Sequence, residues 1–500
     1  MNNLNLRIAK TILISGLSVF VGYIINFFLT PYITDTIGIE AYGFVSMAKT
    51  TVNYAGIITI ALTNFIVRYI SIEYHKGQIT EANSYYSTSI AACFSLASFI
   101  FVVVLFFVSK LEHVLVVPVG LINPVKCLFI IVFINFIVVT VTTPFSSSAY
   151  IKNRLDVSGV VKIIAYICEA IVLLVLFMNF EPTVWFVGMG SLIASFVTLL
   201  CNYLMVRKFT PELRFRKTQV SLRRVKDMMG NGVWNSLNQL GNVLNSGLDL
   251  IISNLMLSAV ATGQIAVAKT IGVMFSTLYQ VVFQPFQPQL LKVYASGDIK
   301  QFLRELKKSM KICGYFSNLA FAGFVALGPL YYKLWMPHQD THYLYLLTVI
   351  TVVGSITAGV MQPVYYVYTV TLNNKLPCWI TIAGGFVNIL SMYILLKYTD
   401  MGALAVVITT AVIMISINLF FNPIYAAWCL NIRVIELYKV IVRHLISAVM
   451  MIVIFGCIAM IFKPQNWIGF IISALIMCVL GAAIHLAVMT GTNYIKRTKK

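Results

Sequence analysis

This sequence has little charge. Of 500 residues only 10% are Asp, Glu, Lys or Arg, and just 16 are acidic, too few to clothe soluble domains of that length. Ordered cysteine patterns are missing too. The nine cysteines lie almost wholly in apolar runs without CxxC or Cys/His spacing, which signals neither a disulfide framework nor a metal site. No P-loop, HExxH or nucleophile motif occurs, so ATP-driven transport within the chain is not expected and no catalytic residue is assigned. The chain is filled instead with apolar residues, 59% of the total at a mean hydropathy of +0.88. That composition belongs to an integral membrane protein.

Apolar segments long enough to cross a bilayer lie at about 11–33, 42–67, 85–109, 124–148, 158–180, 183–206, 231–256, 261–290, 308–332, 342–370, 376–396, 402–427, 441–462 and 467–490. The sequence therefore predicts an all-α fold of fourteen transmembrane helices. The run after Arg7 and Lys10 is too long for a signal-peptide core and reads as a retained first helix. Numbering the gaps alternately, 29 of the 36 Lys and Arg residues fall on one side, while the other holds only Lys110, Lys126, Lys333, Lys397 and Lys463. The positive-inside rule then places both termini of this multi-pass protein in the cytoplasm. The net charge of +20 is mostly a topology signal, and no nucleic-acid partner is expected. Trp185, Trp335, Trp379, Trp428 and Trp467 fall near predicted helix ends, as an interfacial aromatic belt would.

The first twelve spans divide into two sixes that resemble each other. Ala48-Lys49-Thr50 recurs as Ala268-Lys269-Thr270, an offset of 220. Thr143-Pro144 before Lys152-Asn153-Arg154 corresponds to Gln362-Pro363 before Asn373-Asn374-Lys375 at an offset of 219. Because six is even, the copies share orientation, the signature of parallel repeats. The expected organisation is an N-lobe of helices 1–6 (1–206), a basic cytoplasmic linker (207–226), a C-lobe of helices 7–12 (227–428) and an added helix pair with a basic tail (429–500). A central cavity between the lobes would be the substrate site, worked by alternating access.

Polar side chains inside the spans are the candidates for lining it. In the seventh span Asn231, Asn235, Asn238, Asn242, Asn245 and Asp249 are spaced 4, 3, 4, 3 and 4, one face of a continuous helix at about 100° per residue. The eighth repeats this with Lys269, Ser276, Gln280, Gln284 and Gln287. Amides facing lipid cost free energy, so both files should face protein or water. Either they hold helices together, or they line a cavity whose paired donors and acceptors suit a hydroxyl-rich ligand such as a glycan. Lys49, Lys269 and Asp249 lie at similar depth, about 10 Å from the outer helix ends at 1.5 Å per residue. The lysines form a cationic clamp for phosphate, with Asp249 pairing one of them when the site is empty, or they snorkel to headgroups. Glu169, at the middle of the fifth span, is a buried acid in a helix contact or a cation-coupling site. His485 reads as a helix-contact histidine. Tyr365, Tyr366 and Tyr368 are belt residues or stacking platforms for sugar, and Pro144, Pro285, Pro288 and Pro363 mark kinks.

The opening stretch from Gly16 to Tyr32, then Ile37-Gly38-Ile39-Glu40-Ala41-Tyr42-Gly43, and Arg68 ending the second span, resemble the start of bacterial oligosaccharide flippases. These are the polysaccharide transporter branch of the superfamily that includes multidrug and toxin extrusion (MATE) carriers. The resemblance covers essentially the whole chain and implies transfer of undecaprenyl-pyrophosphate-linked oligosaccharide repeat units from inner to outer leaflet, for O-antigen, capsule or exopolysaccharide. Its implied partners are that polyprenyl-pyrophosphate-linked glycan, membrane lipid, and the polysaccharide polymerase and glycosyltransferases of the same route. It implies a cationic cavity, for which Lys49 and Lys269 are the matching positions here. No cofactor is expected. Membrane potential would favour export of two negative charges by about 4–5 kcal/mol at 100 mV, and H⁺ or Na⁺ coupling through Asp249 or Glu169 stays open. A small-cation antiporter would want acids in its cavity, whereas the intramembrane charges divide evenly. A membrane-embedded glycosyltransferase or polymerase would need catalytic carboxylates in a sizeable loop, and the six acids of the predicted outer loops are spread over five of them.

Overall fold

In this computed structural model residues 3–497 are described apart from 153, 231 and 232, and side chains are described for the same residues except 3–13, 15, 64, 230, 233–235, 246 and 490–497. The side chains of Arg7, Lys10, Asn153, Asn231 and Asn235 lie outside that set. Among the described residues every regular element is helical. In hydrocarbon a backbone must satisfy its own hydrogen bonds, and the helix does so within each segment. Among the described residues thirteen helices are long and apolar enough to cross a membrane, and the chain is a multi-pass membrane protein. The fourteenth expected crossing, 231–256, is present in two pieces.

The first six crossings are α1 (Asn3–Ile37), α2 (Ile39–His75), α3 (Ile79–Ser109), α4 (Ile122–Thr142), α5 (Leu155–Asn179) and α6 (Trp185–Phe209). The seventh is α7 (Val233–Asn242), a π-helical turn (Val243–Gly247) and α8 (Asp249–Met256). Then follow α9 (Ala259–Phe283), α10 (Ile299–Trp335), α11 (Thr341–Val370), α12 (Lys375–Tyr398), α13 (Ala403–Ser416), α14 (Ile435–Phe462) and α15 (Trp467–Arg497). Two compact units form, Met1–Val243 with Ser253–Gly263, and Leu244–Ile252 with Gln264–Lys500. The 207–226 stretch belongs to the first.

In the first unit, helices approach through small residues, as membrane helices do where burial from water offers no drive. A Cβ on Gly22 of α1 would stand 3.0 Å from the Tyr166 ring of α5, and one on Gly190 of α6 would stand 2.8 Å from Leu173 of α5. The α1–α2 junction turns at Gly38, whose φ of 99° lies where L side chains rarely go. The segment Ser253–Gly263 is held at two points. The amide of Asn254, fully buried, accepts from Val116 N at 2.9 Å and donates to Val116 O at 3.1 Å. Gly263 meets α2 so closely that a Cβ on Gly43 would lie 2.8 Å from Gly263 N.

In the second unit α10 and α11 begin on aspartate caps. Asp298 accepts from Gln301 N at 2.8 Å and Asp340 from Tyr343 N at 3.0 Å, satisfying amides the helix start leaves open. The added pair α14 and α15 packs on α10 through histidines. His485 uses both ring nitrogens, on Ser447 Oγ at 3.1 Å and Lys311 O at 2.9 Å, the helix-contact role expected of it. The tryptophans stand at helix ends, but Trp335 is buried against Tyr331 and Tyr332 rather than facing an interface.

Candidate functional site

The seventh crossing is broken by a π turn over Val243–Gly247. Asn spacing of 3 and 4 reads as one continuous helix, but the chain leaves the α-helical register at Val243 and resumes it only at Asp249. The expected single face from Asn238 to Asp249 is therefore not one face. A π turn advances less per residue than an α turn, so a spacing of 3 and 4 that marks one face of an α-helix does not do so through Val243–Gly247.

The break is braced by α12. Asn245 Nδ2 donates to Thr381 O at 2.6 Å, and Asn388 Nδ2 donates to Asn245 O at 2.6 Å and to Thr410 Oγ1 of α13 at 3.0 Å. The carbonyl of Asn245, displaced from the α-helical ladder, thus acquires a side-chain partner instead of standing orphaned in an apolar medium. The approach is close enough that α12 carries Gly384-Gly385 there: a Cβ on Gly385 would overlap Leu244 Cβ. Leu244 is packed against this glycine. Thr381, Asn388 and Thr410 carry the brace, and the sequence reading missed them. Their signal was polar residues inside apolar runs beside a glycine pair.

Asp249 opens α8, where the helix dipole favours a carboxylate. It is 3% exposed, and its Oδ2 accepts from Lys269 Nζ of α9 at 2.7 Å. Its Oδ1 is buried with no hydrogen-bond partner among the described residues. Lys269 is half-buried, its side chain 22% exposed. The result is a charged pair at a helix break, with one acceptor atom open for a proton or small cation. No cluster of His, Cys, Asp or Glu suited to a metal occurs among the described residues.

The remaining candidates are placed as follows. Lys49 of α2, in the first unit, is exposed, and no ion pair of it is found among the described residues. Asn238 is half-buried and Asn242 exposed, both in the first unit. On α9, Gln280 is exposed while Phe275, Tyr279 and Phe283 turn inward to the core of the second unit. Gln284, also exposed, starts a 3₁₀ turn over Gln284–Phe286 around Pro285, and half-buried Gln287 begins the following helix. Glu169 of α5 is half-buried and accepts from Ser191 Oγ of α6 at 2.7 Å. Among these candidates, Asp249 and Lys269 are brought together side chain to side chain.

A second polar cluster escaped the sequence reading. Tyr365 OH donates to Asn418 Oδ1 at 2.6 Å, Asn422 Nδ2 donates to Asn418 Oδ1 at 3.0 Å, Asn418 Nδ2 reaches Thr357 Oγ1 at 3.2 Å, and Tyr368 OH donates to Asn422 Oδ1 at 2.9 Å. Tyr365 and Tyr368 therefore serve neither a belt nor a sugar platform. They satisfy asparagines at another π turn, Ile417–Phe421.

The family described as polysaccharide biosynthesis protein matches residues 8–290. The chain is 26% identical over 451 residues to the uncharacterized membrane protein EpsK of Bacillus subtilis (strain 168), covering 90% of this chain and 88% of that one. Among solved structures it is similar to the lipid II flippase MurJ in an inward closed conformation, with a TM-score of 0.69 at 14% identity over 96% of this chain and all of that one. It is similar also to an inward-facing multidrug resistance MATE family transporter of the MOP superfamily, at 0.66 and 12% identity over 85% of this chain and 99% of that one. At such low identity these structures speak for the fold alone. The match over more than half the sequence decides the family: this chain belongs to the polysaccharide biosynthesis protein family, built on the fold that flippases and transporters of the MOP superfamily share.

Proposed function

We propose that this protein flips polyprenyl-pyrophosphate-linked oligosaccharide repeat units from the inner to the outer leaflet of a bacterial cytoplasmic membrane by alternating access, for surface polysaccharide biosynthesis. The observation that carries the transport reading is the interrupted seventh crossing with the Asp249–Lys269 pair at its break. Discontinuous helices bearing charge are how transporters build a site at depth, and a charge there is costly unless it works. The family supports polysaccharide as the route served. A sugar headgroup cannot cross hydrocarbon unaided because each unsatisfied hydroxyl costs kilocalories, whereas the polyprenyl tail stays in lipid. Lys49 and Lys269 would hold the pyrophosphate, and exposed Asn242, Gln280 and Gln284 would meet sugar hydroxyls. When cargo takes Lys269, Asp249 is released to bind H⁺ or Na⁺, so one exchange of partners couples ion to substrate. Glu169, already engaged by Ser191, is the second coupling candidate.

In cells deleted for this gene, wild-type protein is expected to restore surface polymer. Lys49→Ala and Lys269→Ala, at matched protein levels, are expected to lower it by about tenfold or more, equivalent to 1.4 kcal/mol or more, while lipid-linked repeat units accumulate. Normal polymer in the double variant would remove the lysines from the site. Deletion without accumulation of the lipid-linked intermediate would remove the flippase reading itself.

A further inference from the structure

The basic 207–226 stretch is a fixed strap in the first unit. Asn83 of α3 donates from Nδ2 to Glu212 O at 2.9 Å and accepts from Arg214 N at 2.8 Å. Ser87 Oγ accepts from Arg216 N at 2.9 Å, Ser84 Oγ donates to Gln219 O at 3.0 Å, and Thr88 Oγ1 accepts from Ser221 N at 3.0 Å. Asn83, Ser84, Ser87 and Thr88 recur at helical spacing and so form one polar rail along α3. The strap then enters the helix Leu222–Gly230, where Arg224 pairs with Glu81 and lies 4.4 Å over the Tyr85 ring.

Beside the rail is a cavity of about 390 Å³ lined by Thr80, Glu212, Arg214, Arg216 and Gln219 among others. Arg214 and Arg216 are exposed, and neither has a carboxylate partner among the described residues. Arg214 Nε is directed at Pro211 O, 3.3 Å away. Residues two apart on extended chain share a side, so both guanidiniums project toward the cavity they line while Phe215 projects away. Phe215 is 51% exposed and Leu222 86%. Preset guanidiniums beside outward apolar side chains, at the basic end of the helices, describe a membrane–water interface.

We propose that this cavity binds the headgroup of an anionic glycerophospholipid, with the phosphate on Arg214 and Arg216, while Phe215 and Leu222 sit among the lipid chains. The site is separate from the Asp249–Lys269 pair and independent of the flipping reading. Its role is to fasten the strap to one leaflet.

Full-length protein in detergent, titrated with phosphatidylglycerol or phosphatidylcholine and read by native mass spectrometry, tests it. Wild type is expected to retain phosphatidylglycerol over phosphatidylcholine, and Arg214→Gln/Arg216→Gln to lose about tenfold of that retention with its unfolding midpoint unchanged, because the strap's backbone bonds remain. Lys217→Gln/Lys226→Gln removes equal charge outside the cavity and is expected to retain the lipid. Equal retention of both lipids, or equal losses in the two double variants, overturns the site. Displacement of phosphatidylglycerol by millimolar inorganic phosphate or glycerol 3-phosphate identifies a soluble phosphate ligand and overturns the lipid assignment.

Discussion

Lys269→Met is expected to destabilise this protein more than Asp249→Asn, although the two substitutions break the same bond. Asp249 is buried, and its Oδ1 has no hydrogen-bond partner among the described residues. Deleting the lysine strands a carboxylate among helices, at a cost of about 3–5 kcal/mol for a fully buried pair and toward the lower end here because Lys269 is partly exposed. Deleting the acid's charge strands an ammonium on a flexible four-carbon stem, which can reach water. That loss is about 1–2 kcal/mol. The double variant Asp249→Asn/Lys269→Met has no uncompensated charge and is expected to recover to within about 1 kcal/mol of wild type, yet to remain defective in export. The measurement is the unfolding midpoint of purified full-length protein, read beside polymer export. If the order of the single variants reverses, or if the double variant is no more stable than Lys269→Met, the pair is not the stabilising contact described here.

The two lysines also show where sequence reading stops. Lys49 and Lys269 sit at equivalent repeat positions, but their surroundings differ, because the residue 220 positions before Asp249 is Leu29. An offset locates equivalent backbone and says nothing of a partner present in one copy only. The helices were legible from length and hydropathy, since the apolar requirement acts on every residue of a crossing. The break at Val243–Gly247 was not, because a regular file of asparagines fits an unbroken helix. What interrupts it is tertiary: Gly384-Gly385 and Asn388 on α12 give Leu244 and the Asn245 carbonyl somewhere to go. The anchoring of the strap was hidden for a similar reason. Charge marks 207–226 as solvent-facing, while the short polar side chains that anchor it, Asn83 to Thr88, are hidden at the start of an apolar helix. Tyr365 and Tyr368 likewise looked interfacial from their distance to a helix end, and only coordinates reveal Asn418 and Asn422 as their partners.

Gly263→Ala is expected to act opposite in sign to Gly56→Ala. Both glycines lie in helices, α9 and α2, where alanine is favoured by about 1 kcal/mol. At Gly56 nothing lies within 4 Å of an added Cβ, so that gain is realised and the unfolding midpoint should rise. At Gly263 the added carbon overlaps the carbonyl oxygen of Ile39. The obstacle is backbone, which cannot rotate aside, and the overpacking cost of about 1–3 kcal/mol exceeds the propensity gain. Gly263 is also the repeat equivalent of Gly43, at the offset of 220 that joins Lys49 to Lys269, and the two glycines lie against each other. The contact therefore depends on both copies keeping glycine. Relief of the overlap should come by lifting Ser253–Gly263 from α2, which pulls Asn254 off the N–H and C=O of Val116. Hydrogen exchange reports that step directly. The Val116 amide is expected to exchange about tenfold faster or more in Gly263→Ala, as loss of one buried hydrogen bond of 1–3 kcal/mol would give, and at the wild-type rate in Gly56→Ala. Unchanged protection at Val116 in both variants would mean that the segment is held by contacts other than Asn254 and the paired glycines.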